Sequence, residues 1–193
     1  MIAAAIDARD QPDHARLAAP FGVVGVRIAG EGADAVVAVV TYLAPGTEPH
    51  APTHELAGRF ARELERYLDD PAYRFGVPCA PAGTVFRHRV WAAISAIGSG
   101  ATRRYGEIAR DLGSSARAVG QACGDNPLPL VVPCHRVVAA SGPGGFAHAS
   151  DGWLLRTKQW LLAHEGSVLA HQCGVPGRER GVSGHEGNDG MLP

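Results

Sequence analysis

Five consecutive residues, Pro133-Cys134-His135-Arg136-Val137, set a thiol directly against an imidazole. A cysteine is a nucleophile only as its thiolate, and a neighbouring imidazole can take the proton. The pair follows a short apolar run, residues 128–132, with prolines at 127, 129 and 133. Proline fixes φ, removes a backbone donor and biases the residue before it toward extended backbone, so this stretch is expected to be an extended, stiff support. Taken alone, a Cys-His pair has bland readings: a buried structural cysteine, the usual fate of a free thiol, or one half of a hydrolase site. Zinc binding through the two neighbours fails on spacing, because adjacent ligands do not suit one tetrahedral ion and the chain has no Cys-x-x-Cys.

The elements that must position this pair can be read from patterning. Residues 21–29 and 35–43 are β-rich runs around Gly30-Glu31-Gly32-Ala33-Asp34, a hairpin signal. Leu56, Phe60, Leu64 and Leu68 recur four apart, marking one face of a helix over residues 54–68. Residues 71–83, rich in proline and glycine, read as a linker. Beyond it, Thr84 is a helix N-cap, with Phe86, Val90, Ile94 and Ile97 at helical spacing. A short helix from Tyr105 stops at Gly113, and Ser114 or Ser115 caps another over 116–123; the two form a helix-turn-helix candidate. A glycine-dense loop over residues 141–146 precedes a last helix over 153–164. The fold class is therefore α+β: a small α/β N-terminal domain (19–80) after an extension (1–18), then a mostly helical domain (83–166). Residues 167–193, polar and without periodicity, are expected to be a disordered tail.

Composition narrows the setting. Hydrophobic residues make up 46% and charged residues 19%, which describes a globular chain rather than a disordered one. No apolar run is long enough for a membrane span, and no signal peptide is evident at the start. Four scattered cysteines (79, 123, 134 and 173) suit a reducing compartment, with the cytoplasm the expected location. The net charge of −1 hides a split: residues 1–80 hold seven Arg against eleven acids, while 85–165 hold nine basic residues against five acids. All but one of those nine are Arg, the side chain whose planar fork suits phosphates and base edges. A GC-rich genome, which favours Ala, Gly and Arg codons, produces the same bias.

With these elements in place, Arg117-Ala118-Val119-Gly120, Asn126-Pro127, Pro133-Cys134-His135-Arg136-Val137 and Leu161-Leu162-Ala163-His164-Glu165-Gly166 together resemble the O6-alkylguanine-DNA alkyltransferase family. Gly83-Thr84-Val85-Phe86 and Tyr105-Gly106-Glu107-Ile108-Ala109 extend the resemblance, which is dense over residues 83–166 and thin over 19–80. It implies irreversible, single-turnover transfer of an alkyl group from O6-alkylguanine in DNA, with O4-alkylthymine a further substrate, to Cys134. His135 is then the base, acting through a water and oriented by Glu165, while Asn126 supports the active-site turn. The target base lies within the duplex stack and must be flipped out from the minor-groove side. Arg117 corresponds to the residue that fills the vacated space, and Tyr105 to the one that turns the 3′ phosphate and bonds the guanine. Ala118 and Gly120 allow close approach to the groove, although tight helix packing is a rival reason for Gly120. Backbone groups of Cys134 and Val137 read the guanine edge, Gly145, Phe146 and Ala147 form the lid, and Lys158 matches a lysine near the pocket.

The implied partner is double-stranded DNA, bound by a monomer without cofactor, metal or membrane. The alternative is a non-catalytic alkylated-DNA-binding protein of the alkyltransferase-like type, a group that lacks the cysteine this chain retains. The chain departs from the family pattern in its lid, where Phe146-Ala147-His148-Ala149 replaces a Tyr, a small residue and two glycines. Gly98 stands for a frequent proline, Arg104 for a frequent serine, and the turn between the paired helices is short.

Overall fold

The computed structural model describes residues 12–166. Most of the expected N-terminal extension, the tail read as disordered and Cys173 lie outside the described residues. Strands β1 (Ala15–Ala19), β2 (Gly22–Ala29) and β3 (Val36–Leu43) form an antiparallel sheet in that order. The β2–β3 hairpin follows the sequence expectation, whereas β1 begins inside the stretch assigned to the extension. Gly30 makes the hairpin possible: its φ is +79°, and a Cβ there would sit 2.7 Å from the Asp34 carbonyl oxygen. Register shifts between Arg27 and Ile28, where the pairing moves from Val39 to Val37. The extra residue, Ala38, resets the two-residue alternation, so Val37 joins Val40 and Tyr42 opposite Ile28, Val26 and Val24 on the core face.

Helix α1 (Glu55–Asp69) packs across this sheet. Its buried stripe is Leu56, Phe60, Leu64 and Tyr67, with Leu68 only partly buried. The expected four-residue spacing drifts about 40° per step on a 3.6-residue helix, so by the third step position 67 faces the core better than position 68. Residues 71–83, expected as a linker, form an ordered strap. Glu63 accepts from the Gly76 and Val77 amides (2.6 and 3.2 Å), Arg59 donates to the Gly76 carbonyl (2.7 Å), and the Val37 amide donates to Pro78 (2.8 Å). The strap covers part of the free edge of β3. Farther along that edge, the Val40 amide donates to the Pro127 carbonyl at 2.8 Å.

Helix α2 (Val85–Ser95) is capped by the Thr84 hydroxyl, which accepts from the Arg87 amide at 3.3 Å. It buries Val90, Trp91 and Ile94, and the Trp91 indole donates to the Ala122 carbonyl at 2.8 Å. Helices α3 (Tyr105–Asp111) and α4 (Ala116–Gly124) pack together across a short turn, with Ser115 capping α4. Two-residue strands β4 (Arg103–Arg104) and β5 (Val137–Val138) pair in parallel, a feature the sequence did not announce. They tie the start of α3 to the chain just past Cys134. Helix α5 (Gly152–His164) closes the structure, burying Thr157, Lys158, Leu161 and Leu162. One apolar cluster runs from Val24 and Phe60 through Ile94 and Ile108 to Leu161, so both parts of the chain share a core. Among the described residues no helix is long and apolar enough to cross a membrane.

Candidate active site

Cys134 opens a 3-10 turn, Cys134–Arg136, and is 5% exposed. The residues before it are not the extended support expected from the prolines. The Val132 amide donates back to the Leu128 carbonyl (2.8 Å), closing a tight loop in which Leu130 takes a φ of +75°. Asn126 pins both sides: its amide donates to the Val132 carbonyl (2.8 Å), and its carbonyl oxygen accepts from the Leu128 amide (3.0 Å). Burial of Leu128, Leu130 and Val132 holds the loop closed. That apolar anchoring, absent from a local reading of proline preference, overrides the extended form. Burial also pushes the Cys134 thiol up, while Asn126 and the Lys158 ammonium favour the thiolate.

His135 and Glu165 are both buried, and His135 Nε2 lies 2.9 Å from Glu165 Oε1. Facing a carboxylate, Nε2 is the protonated nitrogen, and Nδ1 is left as an acceptor. Burial lowers the His135 pKa against the opposing pull of Glu165, which keeps the ring neutral. Arg136 grips Glu165 with two bonds of 2.9 Å, and the Tyr67 hydroxyl donates to Oε1 at 2.9 Å. Burial alone would raise the Glu165 pKa, but His135 and Arg136 outweigh it and hold the carboxyl at about 2. The result is a neutral imidazole locked by a carboxylate, next to a thiol, as a general base requires.

Two clefts of about 390 and 360 Å³ meet at Cys134. One opens beneath α3 and α4 and is lined by Tyr105, Gly120 and Gly145; the other runs toward β3, past Asn126, Pro129 and Tyr42. The strip Phe146-Ala147-His148 borders both. Phe146 and Ala149 exchange two backbone bonds of 2.8 Å around Ala147 (φ +48°) and His148 (φ +63°), the geometry of a type I′ turn made without glycine. The His148 ring lies over Gly124, where a Cβ would come within 2.4 Å of it, and Nε2 is 3.0 Å from Asp125, which Arg87 also grips. Beneath the strip, the Lys158 ammonium donates to the carbonyls of Val137, Pro143 and Gly145 at 2.7, 2.7 and 2.9 Å. Its burial lowers its pKa to about 8. The Tyr105 hydroxyl donates to the same Gly145 carbonyl at 3.2 Å.

The structure thus brings Cys134, His135, Glu165, Asn126, Tyr105, Gly120, Gly145, Phe146 and Ala147 to one place. Arg117 lies exposed near the start of α4, with Ala118 beside it half-buried, and neither lines a cleft. Val137 is fully buried and its carbonyl already accepts from Lys158. Lys158 is itself fully buried, its three donors directed at the carbonyls of Val137, Pro143 and Gly145 rather than at a surface. A Cβ on Gly120 would meet nothing within 4 Å, which removes tight helix packing as the reason for that glycine. Two residues escaped the sequence reading. Tyr67 was passed over by the four-residue spacing read on α1, and Tyr42 was only one position in a β-rich run.

Residues 85–167 match the family model described as 6-O-methylguanine DNA methyltransferase, DNA binding domain. Similar curated proteins include the methylated-DNA–protein-cysteine methyltransferases of Methanosarcina acetivorans (46% identical over 84 residues, 42% of this chain) and Mycobacterium bovis (48% over 82 residues, 42% of this chain). The chain spans about half the length of the curated relatives it matches, 54% and 50% respectively. Among solved structures it resembles the Mycobacterium tuberculosis O6-methylguanine methyltransferase, with TM-score 0.62 and 34% identity over 79% of this chain and 92% of that one. It likewise resembles M. tuberculosis OGT in complex with DNA, with TM-score 0.61 and 34% identity over 78% and 91%. An α+β fold shared across nearly all of those structures, with sequence identity to match, settles the kinship: the chain belongs to the O6-methylguanine (methylated-DNA–protein-cysteine) methyltransferase family.

Proposed function

We propose that this protein repairs alkylated DNA by direct reversal, moving the alkyl group of an O6-alkylguanine onto Cys134 once per molecule. The observation that carries the reading is the buried Glu165–His135 pair beside a cysteine that opens on a cleft. His135 Nδ1 takes the Cys134 proton through a water. The thiolate attacks the alkyl carbon in line, the carbon–O6 bond breaks, and the proton returns to the departing guanine. The thioether formed is stable, because freeing the sulfur would require expelling a thiolate from an unactivated alkyl carbon, so the protein is consumed in the reaction.

The cleft lined by Tyr105, Gly120 and Gly145 receives the flipped base, with Phe146 and Ala147 over it and backbone groups at Cys134 reading its edge. Exposed Arg117, at the start of α4, fills the gap left in the stack from the minor-groove side. The net positive charge of residues 85–165 favours a polyanion, and the small residues Ala118 and Gly120 allow close approach. Residues 83–166 act as the DNA-binding and catalytic unit, and 19–80 as its support, in a monomer suited to the reducing cytoplasm.

The test is incubation with a duplex carrying O6-methylguanine, followed by mass spectrometry of the Cys134 peptide. Gain of one methyl group is expected in the wild type and none in Cys134→Ser, with duplex affinity retained. Binding without methyl gain in the wild type would overturn the transfer reading in favour of a non-catalytic damage-binding protein.

A further inference from the structure

The N-terminal part of the chain supplies two tyrosine hydroxyls to the neighbourhood of the reactive centre. The Tyr67 hydroxyl is accounted for by its bond to Glu165. The Tyr42 hydroxyl is not. Tyr42 stands on β3, is 8% exposed, and its ring is clasped between Phe21 (centroids 5.9 Å apart) and the lid residue Phe146 (5.3 Å). It lines the larger cleft together with Cys134 and Asn126. Among the described residues, its hydroxyl and His135 Nδ1 are the two buried side-chain polar atoms without a hydrogen-bond partner. A buried hydroxyl left unmatched forfeits its hydration without return, and phenylalanine would pack the same ring without that cost. A retained hydroxyl beside a cleft of this size therefore points to a polar partner inside the cleft.

We propose that Tyr42 is a positioning residue for the nucleophile: its hydroxyl, through one water in the cleft, donates a hydrogen bond to the sulfur of Cys134 and favours the thiolate. This rests on the repair reading and deepens it, because it assigns the N-terminal unit a part in activating the acceptor. Burial, then the nearby Cys134, raise the Tyr42 pKa, so the hydroxyl keeps its proton and remains a donor throughout. Tyr42, Cys134 and Asn126 line the same cleft, so a water bridging the hydroxyl and the sulfur would find the two to four polar neighbours that a buried water needs. Asn126 and Lys158 act on the sulfur in the same sense, against its burial. The other titratable or charged groups around the pair are His135 on the 3-10 turn, Cys123 on α4, Tyr105 on α3, Tyr67 on α1 and Glu165 after α5, with Arg27 on β2, Asp125 after α4 and His148 also lining the cleft. None of these is altered by changing Tyr42 to Phe.

The experiment measures the pH dependence of Cys134 alkylation in full-length protein, wild type and Tyr42→Phe, using iodoacetamide and following the Cys134 peptide by mass spectrometry. The variant is expected to react about tenfold more slowly near neutral pH, with the midpoint of its profile about one pH unit higher. Methyl uptake from an O6-methylguanine duplex should slow to a similar degree, while the melting temperature and duplex affinity stay at wild-type values. Superimposable profiles, or a faster variant, would overturn the proposal. If the wild type accepts no methyl group from DNA, the repair reading fails, yet the iodoacetamide profiles still decide the role of Tyr42. If Tyr42→Phe melts markedly lower than wild type, Tyr42→Met provides the comparison. Equal profiles in two folded variants without the hydroxyl count against the proposal as well.

Discussion

At the residue scale, the site depends on one carboxylate. Glu165 ties a helix end to His135, to Arg136 and to Tyr67 from the other side of the molecule. Its folded pKa lies below its unfolded value, so its contribution to stability is fully present above about pH 4.5 and is lost as pH falls through about 2. At 1.36 kcal/mol per pKa unit the contribution is on the order of 3 kcal/mol. Glu165→Gln should therefore lose stability at neutral pH and show a much smaller drop in melting temperature between about pH 6 and about pH 3 than the wild type. Equal drops in the two proteins would mean that other carboxylates carry the acid sensitivity. That Cys134, His135 and Glu165 are candidates for one site was legible in the sequence, because each sits in a dense local motif. Tyr67 was not, because its partner lies 98 residues away and nothing local distinguishes it from a core aromatic.

At the element scale, the lid carries a strained turn. Ala147 and His148 occupy adjacent left-handed positions, with φ of +48° and +63°. The left-handed conformation costs a residue with a Cβ about 1–2 kcal/mol, while glycine gives up about 0.4–1 kcal/mol through a freer unfolded chain. Ala147→Gly should thus stabilise the protein by about 0.5–1 kcal/mol, read as a higher denaturant midpoint at unchanged slope. A lower midpoint would show that the turn is not strained as its backbone suggests. The strain is held by contacts on other elements: His148 over Gly124 and onto Asp125, and Lys158 beneath Gly145. Helix periodicity, caps and the β2–β3 hairpin were readable along the chain. The loop before Cys134 was not, since proline preferences describe an isolated segment and burial of Leu128, Leu130 and Val132 folds it back.

At the scale of the whole molecule, the two parts of the chain interlock. The Val40 amide bonds the Pro127 carbonyl, the Thr157 hydroxyl reaches the Phe21 carbonyl at 3.3 Å, and His164 Nε2 meets the Tyr67 carbonyl at 2.9 Å. Phe21 also packs on Trp160, with ring centroids 5.0 Å apart. With one apolar cluster spanning both parts, residues 12–166 should unfold in a single cooperative transition. Calorimetry resolving two transitions would show the N-terminal unit to be independent. By itself the sequence determined the thiol–imidazole pair and the order of helices, because these depend on adjacent residues and short periodicities. Only the tertiary structure decided which hydroxyls face the site, how the acceptor loop folds and what holds the lid. Those features arise from contacts between residues far apart in the chain, where burial and hydrogen bonding outweigh local preference.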